Sequence, residues 1–124
     1  PVAETAPEGS VPLMLNEPVR YGHLRLTLVP AAASNEDLPL LSAGQYLVRS
    51  WQAGDRIQPV GMKGTKKVQD IFVDQKISRR RRHTWPLVVT PDNDIAFIPQ
   101  LARDRRFSHP DQNNAVKLQV EEIA

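Results

Sequence analysis

The chain's only imidazoles are His23, His83 and His109, and it has no cysteine. No two of the histidines stand at i, i+4, so the commonest helical metal pairing is missing. Without cysteine there is no thiolate nucleophile, disulfide or Cys-based zinc site. No nucleophile–base pair and no pair of carboxylates occurs at a spacing that reads as catalytic. Asp55, following Gly54, reads as a turn former or a clamp on Arg56. The chemistry that the residue types do offer is anion binding. Residues 49–82 hold ten bases: Arg49, Arg56, Lys63, Lys66, Lys67, Lys76, Arg79, Arg80, Arg81 and Arg82. They hold only three acids, Asp55, Asp70 and Asp74, so this stretch is +7 in a chain whose net charge is +2. Such a block attracts polyanions, nucleic acid first among them, because phosphate contacts supply most sequence-independent affinity. The plainer alternative is a solvated basic face.

Within the block, Gly61-Met62-Lys63-Gly64-Thr65-Lys66-Lys67 joins a strand pattern to a helix pattern. Gly61 and Gly64 let the backbone turn, and a helix start offers N–H groups and a positive dipole end to a phosphate. Thr65 is a good N-cap type. Lys66 and Lys67 then fall in the first helical turn, a placement more easily understood if an anion binds there. A plain turn with solvated lysines stands against this reading. The spacing is not that of a Walker A loop, and a preceding strand argues against the two-helix loop of KH domains. Arg79 to Arg82 would splay around a short helix, since successive residues turn by about 100°. Some would face a ligand while others face solvent or pair with Asp70 or Asp74. Trp51 and Trp85 are candidate base-stacking platforms, although each lies beside an apolar strand pattern and reads more simply as core. His83 is either a phosphate contact or a surface histidine. By its residues the chain is a binding module, not an enzyme.

The elements that must position these residues follow from hydrophobic period and turn chemistry. At 124 residues the chain suits one domain, and 40% apolar with 24% charged is an ordinary globular mix. Residues 1–18 are Pro-rich and polar and read as a linker or irregular arm, with residues 19–124 as the domain. The non-Met start reads as a fragment of a longer protein. Strands are expected at 19–29, 46–51, 57–60, 87–90, 95–98 and 116–120, with a loop over 30–44 interrupted by Leu40-Leu41. Residues 99–114 read as loop. A helix of about three turns follows Thr65, and Ser78 caps a second, 79–84, that must stop before Pro86. Pro91 to Asp94 turns the clearest hairpin. The fold class is α+β: a small, mostly antiparallel sheet with an inserted pair of short helices.

One stretch carries a more specific signal. Residues 47–89 read LVRSWQAGDRIQPVGMKGTKKVQDIFVDQKISRRRRHTWPLVV. An Arg-bearing strand, GDRI, the Gly loop, T-K-K-V, D-I-F, an Arg-rich turn and W-P-L-V-V together resemble the C-terminal domain of tRNA(Ile)-lysidine synthase. The resemblance extends more loosely over residues 19–122. Ser78 stands where that family usually has Pro, and Pro99-Gln100 where it usually has Gly after the strand.

The resemblance implies a parent ligase that uses ATP and Mg to activate the wobble cytidine of a CAU-anticodon tRNA(Ile) and joins lysine to it. The lysidine formed switches codon reading from AUG to AUA. That chemistry belongs to an N-terminal PP-loop domain with an S-G-G-x-D-S signature, which is not present in this sequence. The resemblance therefore implies a non-catalytic domain without cofactor that holds the acceptor-stem end of the tRNA. It also implies a catalytic domain in cis, and a fold like one in the phenylalanyl-tRNA synthetase β subunit. The positions it carries over for tRNA are Arg49, Arg56, Lys63, Lys66, Lys67, Arg79, Arg80, Arg81 and Arg82. Gly61 and Gly64 shape the loop, and Val68, Ile71, Phe72 and Ile77 are core. Cytoplasmic location and no membrane partner are expected. The alternative is a protein–protein docking or dimerisation module with a basic face, and homodimerisation stays open.

Overall fold

The computed structural model describes residues 10–33, 38–108 and 115–123. Eleven strands and two short helices are ordered β1 (Val11–Leu13), β2 (Val19–Tyr21), β3 (Leu24–Pro30), β4 (Leu40–Ser42), β5 (Tyr46–Arg49), β6 (Arg56–Ile57), β7 (Lys66–Lys67), α1 (Val68–Asp74), α2 (Arg79–Arg82), β8 (Leu87–Val89), β9 (Ile95–Ile98), β10 (Ala102–Arg103) and β11 (Ala115–Glu122). The named strands form two main antiparallel sheets, ordered β1-β5-β8-β9-β10 and β2-β3-β11-β4, and a small ribbon of β6 with β7.

The five-stranded sheet is buried on both faces, and period-2 alternation distributes its side chains. Tyr46 and Val48 of β5 and Val88 of β8 join Leu24, Leu26, Leu28, Leu41, Val116 and Leu118 in a core between the two sheets. Leu47 of β5 and Leu87 and Val89 of β8 point to the opposite face, where they meet Ile57, Val68, Ile71, Phe72 and Trp85. A bulge breaks the alternation in β9. Phe97 lies opposite Val88 and Ile95 opposite Val89, so Ala96 is the extra residue. Each fully buried large apolar side chain contributes about 1.5–3 kcal/mol, and this second core is what clamps α1 onto the sheet.

Several expectations change. Val11–Leu13, inside the stretch read as linker or irregular arm, is an edge strand on β5, and Leu13 is buried. Residues 19–29 are a hairpin rather than one strand, turning at Gly22-His23. Ala102–Arg103 pairs with β9 inside the stretch read as loop. The helix after the Gly loop starts at Val68, not Thr65, and runs seven residues instead of about three turns. Lys66 and Lys67 are strand, because Arg56 pairs with Lys67 and Ile57 with Lys66. Cross-strand pairing with β6 outcompetes a helical first turn for these backbones. The second helix keeps its Ser78 cap, whose hydroxyl accepts from the Arg81 N–H, but ends at Arg82. The β8–β9 hairpin lies where its turn chemistry placed it.

Candidate nucleic-acid interface

Arg49 lies at the end of β5 and is only 1% exposed. Its Nη1 and Nη2 donate to the two Asp55 carboxylate oxygens at 2.8 and 2.9 Å. Its Nη1 also donates to Ser50 O, and its Nε to Asn93 Oδ1, each at 2.9 Å. A buried guanidinium with its donors used inside the protein cannot touch a phosphate, so Arg49 leaves the candidate set. Asp55 clamps Arg49, not Arg56. It also accepts from the Gln52 N–H at 2.8 Å and so closes the turn that starts the ribbon.

The other basic positions stay at the surface. Arg56, Lys63, Lys67, Arg79, Arg80 and Arg81 are exposed, and Lys66 and Arg82 are half-buried. The ribbon sets Arg56 directly across from Lys67, and β7 runs straight into α1. Lys66 is ion-paired with Asp74, the last residue of α1, a contact too exposed to matter much for stability. With Arg49–Asp55 and Lys66–Asp74 paired off, the segment presents eight further bases and one further acid, Asp70.

The Gly loop is not a helix-start cradle. The first helical N–H, that of Val68, is taken by Asp55 O at 3.0 Å. Gly61 and Gly64 do turn the loop, with φ of +84° and +77°, where any Cβ is strained. What holds the loop is Arg105, a residue the sequence reading did not single out. Its Nη1 donates to Met62 O at 3.0 Å and to Gly64 O at 2.8 Å. Arg105 is delivered by β10, whose neighbour Asp104 is wholly buried. The Asp104 carboxylate accepts from the Gln58 N–H and from the Arg106 backbone and guanidinium, tying β10 to the end of β6. The signal was present as Arg103-Asp104-Arg105-Arg106, a second basic cluster hidden in a stretch read as loop.

The four consecutive arginines have four different environments. Arg79 and Arg82 line a cavity of about 300 Å³ together with Trp51, Gln69 and His83. Arg82 Nε donates to Ile77 O at 2.9 Å. The Arg81 guanidinium lies 5.3 Å from the Trp85 ring centroid. Among the described residues Arg80 makes no side-chain hydrogen bond or ion pair. None of the four is paired with Asp70 or Asp74.

Trp85 is core: 3% exposed, with Nε1 donating to Pro99 O at 3.0 Å and its ring 6.4 Å from Phe72. Trp51 is half-buried, edge-on to Phe72 and 6.2 Å from the His83 ring. Val68, Ile71 and Phe72 are buried and Ile77 packs against them, as expected. His83 is exposed, and His109 lies outside the described residues. No three metal-ligating side chains come together among the described residues, and no described helix is long and apolar enough to cross a membrane.

Residues 37–120 match the family described as the TilS substrate C-terminal domain. A tRNA(Ile)-lysidine synthase of Symbiobacterium thermophilum is 43% identical over 77 residues, which are 62% of this chain and 16% of that protein. The Bacillus subtilis protein of the same name is 45% identical over 56 residues, 45% of this chain and 12% of that protein. That of Geobacter sulfurreducens is 50% identical over 48 residues, 39% and 10% respectively. The matched part is thus a small share of the length of these relatives. A crystal structure of a TILS C-terminal domain superposes with a TM-score of 0.80 at 21% identity, covering 93% of this chain and 97% of that one. It shares the fold.

Proposed function

The chain belongs to the TilS substrate C-terminal domain family, and from that premise we propose that it is the tRNA-gripping, non-catalytic domain of a tRNA(Ile)-lysidine synthase. In this reading an N-terminal domain in cis, using ATP and Mg, activates the wobble cytidine of the CAU-anticodon tRNA(Ile) and attaches lysine. This domain holds the acceptor-stem end and performs no chemical step, in the cytoplasm. The observation that carries the reading is the surplus of exposed, unpaired bases on the ribbon, the Gly loop and α2. A double-stranded RNA stem is recognised through shape and phosphates, because its deep, narrow major groove excludes side chains. Cations on short rigid elements suit that target. Arg56 and Lys67 face one another on a two-stranded ribbon, Lys63 rides on a loop pinned by Arg105, and Arg79 and Arg80 project from a capped turn.

The test is a salt titration of tRNA(Ile) binding by this chain. A steep fall of log K with log salt is expected, with preference for tRNA over DNA duplex of equal length. Arg56→Ala and Lys67→Ala should each flatten the slope by about one unit. A salt-independent affinity, or equal affinity for DNA, defeats the reading.

A second reading, protein–protein docking, is favoured by a different surface. A cavity of about 700 Å³ beside β1 is lined by Leu13, Met14, Leu15, Tyr46 and Val116 among others, with Met14 56% and Leu15 50% exposed. Exposed apolar clusters of this kind mark contact surfaces. Loss of self-association or of cis-domain binding in a Met14→Glu, Leu15→Glu variant, with tRNA binding intact, would show the two roles side by side.

A further inference from the structure

The cavity between α1 and α2 differs in chemistry from the rest of the basic face. Its lining is one indole (Trp51), one imidazole (His83), one primary amide (Gln69) and two guanidiniums (Arg79, Arg82). No carboxylate lines it among the described residues. At about 300 Å³ it is too small for a helical stem and sits at the lower end of small-ligand sites. Trp51 borders it while being held from behind, edge-on to Phe72 at 6.1 Å in the second core. The Trp51 Nε1 is buried and has no hydrogen-bond partner. Arg82 is anchored through its Nε to Ile77 O, and the Arg79 side chain has no hydrogen bond or ion pair among the described residues.

We propose that this cavity binds a single unstacked nucleotide, its base against Trp51 and its phosphate between Arg79 and Arg82. The inference rests on the tRNA reading above and deepens it, since it assigns the domain an unpaired residue next to the stem as well as the stem's phosphates. Each lining group has a match. A base presents a flat π face to an indole, and the gain is sequence-tolerant. An unpaired base exposes donors and acceptors on its edge, which a carboxamide such as that of Gln69 meets. Two guanidiniums bracket a phosphate with charge-assisted hydrogen bonds. The His83 ring, 6.2 Å from Trp51 and exposed, forms a movable side wall. Duplex phosphates alone would call for none of the aromatic or amide groups.

The experiment compares two RNA hairpins of identical stem, one blunt and one with a four-nucleotide single-stranded 3′ overhang, titrated against this chain at one salt concentration. The overhang hairpin should bind about tenfold more tightly and quench tryptophan fluorescence, while the blunt one leaves it unchanged. Trp51→Ala should remove the overhang advantage and keep blunt-hairpin affinity. Because Trp51 also packs on Phe72, Gln69→Ala provides an exposed second variant that should lower only overhang binding, by several-fold. Equal binding of the two hairpins by the wild-type chain overturns the pocket and leaves the stem-gripping reading standing. No binding of either hairpin overturns both. An overhang advantage that survives in both folded variants places the unpaired nucleotides elsewhere and overturns the assignment of this cavity.

Discussion

Arg49 and Asp55 are joined by a two-pronged contact, Nη1 to Oδ2 at 2.8 Å and Nη2 to Oδ1 at 2.9 Å, with the arginine side chain 1% and the aspartate 11% exposed. The pair draws the end of β5 onto the turn that begins the β6–β7 ribbon. It thereby positions the basic elements without belonging to the basic surface.

Breaking this pair should therefore cost stability and not recognition. Asp55→Ala leaves the Arg49 guanidinium buried without its carboxylate and should destabilise by about 3–5 kcal/mol. Arg49→Met should cost less, because it leaves no buried positive charge. The double variant should lose less than the two single losses combined, since the residues are coupled. Urea unfolding of the four proteins measures this. Strictly additive losses would show that the ion pair is not what holds the turn, and tRNA affinity per folded molecule should be unchanged throughout.

The arginine run should respond unequally. Arg80→Ala and Arg79→Ala should reduce tRNA affinity and flatten the salt slope by about one unit each. Arg82→Ala should in addition lower stability by about 1.5–3 kcal/mol at most, through its hydrogen bond to Ile77 O. Arg81→Ala should cost about 0.5–1 kcal/mol of stability by removing the cation over Trp85. Equal affinity losses at all four positions would mean that the segment binds as an extended arm, contrary to the capped turn.

Arg105 acts on the Gly loop from outside the basic block. Arg105→Ala frees Met62 O and Gly64 O and should leave Lys63 on a looser loop. Thermal stability should fall by about 1 kcal/mol, the ordinary worth of such exposed hydrogen bonds. The tRNA affinity should drop, but by no more than a Lys63→Ala change produces, since the lysine itself is kept. Hydrogen exchange at residues 61–65 should quicken in the variant. Unaltered exchange would show that the loop holds itself.

A pH effect should come from His23. Its ring lies 4.5 Å from that of Trp85, and its Nε2 is buried without a hydrogen-bond partner. Burial first, and the nearby Arg81 charge second, hold its pKa below the usual 6.5, against a smaller opposing pull from Glu122. The folded state thus takes up the proton less readily than the unfolded state. Between pH 6.5 and the lower folded value, unfolding binds protons, so stability rises with pH and is lost on acidification through that window. His23→Phe keeps a ring against Trp85 and should flatten the stability curve just below pH 6.5. An unchanged slope there would assign the acid sensitivity to carboxylates instead.

What the sequence by itself determined was local or summed over a segment. Alternation placed Tyr46 and Val48 on one face of β5 and Leu47 on the other, because side chains in a strand must alternate. Ser78 announced the second helix because its hydroxyl can satisfy a free N–H, and Pro91 to Asp94 announced the hairpin. The density of Lys and Arg over 49–82 identified a basic segment, and the resemblance carried by residues 47–89 pointed to the family. What only the tertiary structure decided was which partner each charged group found. Arg49 looked like its basic neighbours until Asp55 and Asn93 met it below the surface. Lys66 and Lys67 looked helical until β6 paired with them, a contact no helical pattern encodes. Arg105 joined the loop across forty residues of chain, and Trp51, Gln69 and Arg79 became one cavity through the packing of α1 and α2. Charge composition belongs to the segment, whereas burial and pairing belong to the fold. The long-range sheet and core contacts that bury Arg49 and leave Arg80 exposed exist only once the chain has closed on itself.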